Sequence, residues 1–148
     1  MKSFIYLRKV FSIFIGLGAI CMLNGFSNDE IYVEINNQEL RIKLENNSSS
    51  TALYELLKKS DLNVLMNDYG GFEKVGRIDK NLPTNNKYFQ AKALDVILYS
   101  ANNIVIYYDN NSWSFTKLGT IYGISKDELK KLLGNGKINA RFYVKNKD

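Results

Sequence analysis

LDVILYSANNIVIYYDNNSWSFTKLG, residues Leu94 to Gly119, reads as three strands separated by two turns rich in asparagine. Val96 to Tyr99 and Ile104 to Tyr108 are unbroken runs of β-branched, aliphatic and aromatic residues, long enough for strands and too short for helices. Continuous apolarity predicts strands covered on both faces. The linker Ser100-Ala101-Asn102-Asn103 is polar and of hairpin length, and asparagine tolerates the positive φ of tight turns, so the two strands are expected to pair antiparallel. After Asp109-Asn110-Asn111 the pattern becomes alternating, with Trp113 and Phe115 on one face and Ser112, Ser114 and Thr116 on the other. That third strand is expected to have one wet face.

Taken with its flanks, this stretch resembles the cyclophilin-like family of small bacterial proteins. Their pattern is near G-D-(I/L)-x-L-Y, a hairpin, (V/I)-x-F-Y, then S-(W/Y)-S-Y-T-(K/R)-(L/I)-G. Here it stands as Leu94 to Tyr99, Ile104 to Tyr108 and Ser112-Trp113-Ser114-Phe115-Thr116-Lys117-Leu118-Gly119. Asn47-Ser48-Ser49-Ser50, Gly71-Phe72-Glu73-Lys74 and Leu82-Pro83-Thr84 match further landmarks, so the resemblance spans Glu30 to Val144. Three positions depart from it: Leu94 and Ala101 replace glycines, and Tyr107 replaces phenylalanine. The resemblance implies a mainly β protein, a closed cyclophilin-like β-barrel of about eight strands with two short helices.

The rest of the chain is read from its own patterning. Lys2, Arg8 and Lys9 form a basic start, Val10 to Leu23 is an apolar core of 14 residues, and Gly25-Phe26-Ser27 offers a small-residue cleavage site. The core is short of the roughly 20 residues that span a bilayer. Residues 1–27 therefore read as a signal peptide and 28–148 as the cyclophilin-like domain, exported to the periplasm or the extracellular space. The competing reading is a lipoprotein anchored through Cys21, but Ile20 stands where lipidation wants a small residue. Removing the signal takes the net charge from +5 to +2. So small a charge, with no basic stripe, gives no footprint for nucleic acid.

The only cysteine lies in the signal and the chain has no histidine, which removes thiolate nucleophiles, histidine triads and the usual zinc sites. No metal, no cofactor and no catalytic residue is expected, and the domain is expected to be a monomer stabilised by packing alone.

Ile31, Val33 and Ile35, followed across Asn36-Asn37 by Leu40, Ile42 and Leu44, predict a hairpin with one buried face. Leu53, Leu56 and Leu57 predict a short helix, and Ser125 with Glu128 forms a capping box opening a second. Leu62, Val64 and Met66, and later Ile138, Ala140, Phe142 and Val144, predict further strands. Between Tyr69 and Phe89 the chain reads as mostly turn, the sort of long connection that carries function.

That connection, with the central strands, supplies the candidate ligand cleft: Tyr69, Glu73, Lys74, Tyr99, Tyr108 and Trp113. Tyrosine and tryptophan join apolar area to a polar tip, which suits them to ligands. Cyclophilins proper isomerise prolyl bonds with an arginine that hydrogen-bonds the twisted amide, and no residue here matches that arginine. Arg41 and Arg141 fall on the polar phase of their strands, and Arg77 aligns where relatives have an aromatic. The expectation is a non-enzymatic module binding a peptide or small molecule, with a peptidyl-prolyl isomerase acting on exported proteins as the alternative. N-terminal sequencing of the protein from its native envelope should find a first residue near Asn28; an intact Met1 would contradict cleavage, and a lipidated Cys21 would replace it with an anchor.

Overall fold

The first hairpin sets the wall on which the rest is built. In β1 (Glu30–Ile35) and β2 (Gln38–Leu44), Ile31, Val33, Ile35, Leu40, Ile42 and Leu44 are buried on one face. The turn is a two-residue reversal with Asn36 and Asn37 both at positive φ, the geometry that matches strand twist. The computed structural model describes residues 29–147; the expected signal segment and Cys21 lie outside the described residues. Among the described residues no helix is long and apolar enough to cross a membrane.

From β2 the chain enters α1 (Ser48–Lys59), then β3 (Leu62–Tyr69), β4 (Glu73–Arg77), β5 (Lys87–Ala91), β6 (Asp95–Tyr99), β7 (Asn103–Tyr107) and β8 (Asn111–Tyr122). It finishes with α2 (Lys126–Leu133) and β9 (Ile138–Tyr143). Every pairing is antiparallel. The order β2-β1-β9-β3-β4-β7-β6-β8 returns to β2 through Arg41↔Tyr122 to Leu44↔Gly119, closing an eight-stranded barrel. β5 lies outside the ring, paired with the first half of β8. The mainly β barrel with two short helices is as the sequence predicts.

The helices plug opposite ends of the barrel. α1 follows the end of β2 and inserts Leu53 and Leu57 into the core, while α2 inserts Leu129 and Leu133 and receives the Asn36 side-chain amide on the Leu132 carbonyl. Each start is capped by a side chain. Asn47 accepts the Ser50 N–H, and at Ser125 and Glu128 the capping box is complete in both directions.

The sequence reading fails in three places. The stretch 69–89 is turn and loop over most of its length, as expected, but it also holds a barrel strand, β4, and the start of β5, which are short, with Gly76 inside β4 and Pro83 in the loop between them, and so give little periodic signal. In the β6–β7 hairpin the positive φ falls on Ser100 and Ala101 rather than on the asparagines. Thr116 is not wet but fully buried, donating to Asn86 Oδ1 at 2.9 Å and accepting the Asn85 N–H at 2.7 Å, while Trp113 on the supposed buried face is exposed.

At the α2 end the barrel contains one fully buried cation. Lys74 Nζ lies 2.7 Å from Asp68 Oδ1 and donates to the Gly136 carbonyl. Asp68 in turn accepts the Gly136 N–H at 2.7 Å and the Tyr108 hydroxyl at 3.1 Å. The Lys74 ammonium foremost holds the Asp68 carboxyl below its ordinary range. Removing Asp68 strands a fully buried ammonium, whereas removing the ammonium leaves a carboxylate that is 31% exposed and still accepts the Gly136 N–H and the Tyr108 hydroxyl. Asp68→Ala is therefore expected to cost roughly 3 kcal/mol in urea unfolding, and Lys74→Met to stay within about 1 kcal/mol of the parent.

Candidate functional site

The alternation of a β-strand decides which residues meet at the surface of this barrel. In β6 and β7, Val96, Leu98, Ile104 and Ile106 point into the main core. The intervening Ile97, Val105 and Tyr107 are equally buried but belong to a second apolar cluster, with Ala91 and Phe115, on the outer face of the sheet. The continuous apolar runs are thus explained, although the outer face is not covered by a helix. It floors a cleft of about 490 Å³, within the range of small-molecule sites.

Aromatic rings line this cleft in a continuous chain. Tyr69 meets Phe72 edge-on with centroids 6.3 Å apart, Phe72 stacks on Tyr107 at 5.9 Å, and Tyr107 leans on Phe115 at 5.9 Å. Phe115 then meets Phe89 edge-on at 4.8 Å. Phe72 reaches its place because the chain reverses at Gly70, whose φ is +62°; a Cβ there would overlap the Phe72 ring. The Phe72 carbonyl accepts the N–H groups of Tyr108 and Asp109 at 2.9 and 3.1 Å, pinning this turn to the end of β7. Tyr69, Tyr99 and Trp113 stand on the rim and are 64%, 44% and 56% exposed.

Polar groups in the cleft are few. Glu73 lies directly across from Tyr107 in the β4–β7 ladder, is 9% exposed, and has its charged form favoured by the Tyr107 hydroxyl. Asn111 Nδ2 donates to the same hydroxyl at 3.3 Å, and Asn103 lies farther along β7. Burial pushes the Glu73 carboxyl above its ordinary value, with the Tyr107 hydroxyl opposing, and burial also pushes the Tyr107 phenol up. Among the described residues, no three metal-ligating side chains converge on a point.

Of the six residues singled out by sequence, Tyr69, Glu73, Tyr99 and Trp113 line this cleft and Lys74 and Tyr108 do not. Lys74 follows Glu73 by one residue, so it faces the barrel interior; Tyr108 is out of phase with Tyr107 for the same reason, and both bind Asp68. Phe72, Val75, Ile97, Val105, Tyr107 and Phe115 were missed as lining residues. Period two in β6 and β7 carried that signal, since every second apolar residue must leave the barrel interior. Arg77 lies on the cleft phase of β4, exposed and paired with Asn103, beyond the lining residues. Arg41 stacks over Tyr122, and Arg141 pairs with Asp61 and Glu34 on the outside of the wall.

A family model described as the cyclophilin-like family matches residues 33–143, and the chain belongs to that family. No curated protein and no solved structure matches it.

Because folded Glu73 keeps its proton to higher pH than the unfolded chain does, its contribution to stability is fully present below the unfolded value and is lost as pH rises through the folded one. Glu73→Gln should therefore melt higher than the parent at about pH 7.5, with the difference closing by about pH 4. Calorimetry at the two pH values checks the sign.

Proposed function

We propose that this cyclophilin-like chain is a non-enzymatic binding module that holds a small ligand, or one side chain of a peptide, in the aromatic cleft outside β4, β7, β6 and β8. The observation that carries this reading is the cleft itself. Its lining is apolar and aromatic apart from Glu73 and two asparagines, with half-buried Phe72 and Val75 inside it and exposed rings at the rim that bring large contact area at low entropic cost. Prolyl isomerisation asks for a donor positioned over the amide nitrogen, and the lining includes no arginine or lysine. On the reading of the first 27 residues, the module works outside the cytoplasm.

The competing reading, a prolyl isomerase for exported chains, draws support from the family's barrel and from Arg77 on the cleft phase of β4. A protease-coupled assay on short X-Pro peptides is expected to show no catalysis. Clear turnover would overturn the binding reading, and its loss in Arg77→Ala would make Arg77 the donor. Trp113 is the only tryptophan in the chain and stands on the cleft rim. Its emission should shift saturably as aromatic small molecules or peptides are titrated in, and should not respond to ligands without an apolar body.

A further inference from the structure

The cleft is electrostatically unbalanced. Its lining contains one ionisable acid, Glu73, and no lysine or arginine; the adjacent cation, Lys74, is turned into the barrel and occupied by Asp68. Glu73 is more than nine-tenths buried. The Tyr107 hydroxyl across the ladder favours the charged form, and no cation offsets the cost of removing the carboxylate from water. Tyr69 and Tyr107 lie opposite it in the two flanking strands, Phe72 precedes it in the chain, and the electron-rich ring of Trp113 belongs to the same lining. Aromatic faces attract cations through their quadrupole, most strongly where water is excluded. An acid without a counter-charge, set among such rings, is complementary to a positively charged nitrogen with an apolar body.

We infer that the ligand of this cleft is an organic amine, an alkyl- or arylammonium or a lysine-like side chain, whose nitrogen pairs with the Glu73 carboxylate while its hydrocarbon part lies against the accessible side chains of Phe72, Val75 and Trp113. The inference rests on the binding reading above and names the charge of what is bound. Burial then has a use: a carboxylate poorly solvated in the empty cleft gains more from an incoming cation than one already satisfied by water. Asn103 and Asn111 leave the outer cleft polar without adding charge, so selectivity for the cation falls to Glu73.

Benzylamine, benzyl alcohol and benzoate test this, because they share a ring and differ in the charge of one substituent. Titrated at neutral pH and followed by Trp113 emission and by backbone amide shifts at Val75 and Val105, benzylamine should bind at least about tenfold more tightly than benzyl alcohol, with benzoate weakest. In Glu73→Gln, which keeps the side chain's size and removes its charge, the amine should lose its advantage and bind no more tightly than the alcohol. Equal affinities for all three in the parent would overturn the inference and leave the binding reading intact. A preference for the amine that survives Glu73→Gln would also overturn it, and silence from all three would overturn both. An unchanged melting profile at the titration pH, or the higher one expected of Glu73→Gln, shows that the variant is folded.

Discussion

The barrel depends on the point where β8 leaves one partner and takes another. Its first half pairs with β5, its middle with β6, and its last turn of ladder with β2, which is the pairing that closes the ring. Along the β6 pairing the ladder has a bulge, where the register slips between Val96↔Gly119 and Ile97↔Lys117, leaving Leu118 unopposed. Gly119 is required there because any Cβ would run into the Lys43 carbonyl as β2 crosses. The carbonyls released by the bulge are not left bare. Leu118 O accepts the Glu45 N–H and the Ser50 hydroxyl, each at 2.8 Å, and Lys117 O accepts the Asn47 amide at 2.9 Å. The Asn-Ser-Ser-Ser run that looks in sequence like a helix cap is therefore also the clamp on the closure.

Much of this was legible from residues alone, because period two and period 3.6 report burial directly. The first hairpin, both helices, the capping box and the central strand pair needed no partner to be recognised. What could not be read was phase across strands. Glu73 and Lys74 look interchangeable as neighbouring charges, yet one faces the cleft and the other the barrel, and only the pairing of β4 with β7 decides which. Tyr107 and Tyr108 pose the same ambiguity. β4 itself was hidden because Gly76, where β3 crosses closely, interrupts its apolar pattern.

The three departures from the family pattern also gain physical meaning. Leu94 and Ala101, where relatives carry glycine, both have positive φ, at +81° and +64°. Side chains with a Cβ are strained there by roughly 1 kcal/mol or more. Leu94 is held nonetheless, by its N–H on the Tyr107 carbonyl at 3.0 Å and its own carbonyl on the Ile121 N–H at 2.8 Å, and its side chain packs on the main core. Tyr107, at a phenylalanine position of that pattern, adds a hydroxyl that accepts from Asn111 Nδ2 at 3.3 Å. The third departure thus puts a polar contact into a floor otherwise made of hydrocarbon.

Strands that carry apolar residues on both faces give this protein two addresses written into one segment. From Val96 through Tyr107, the even-numbered residues of β6 and β7 answer to the barrel interior and the odd-numbered ones to the cleft, with no position serving both. Sequence drift at the odd positions can reshape the cleft while the interior stays fixed, and repacking of the interior can proceed without touching the cleft. A lineage built on this barrel can therefore remodel that surface residue by residue, each change confined to one side of a sheet a single backbone thick.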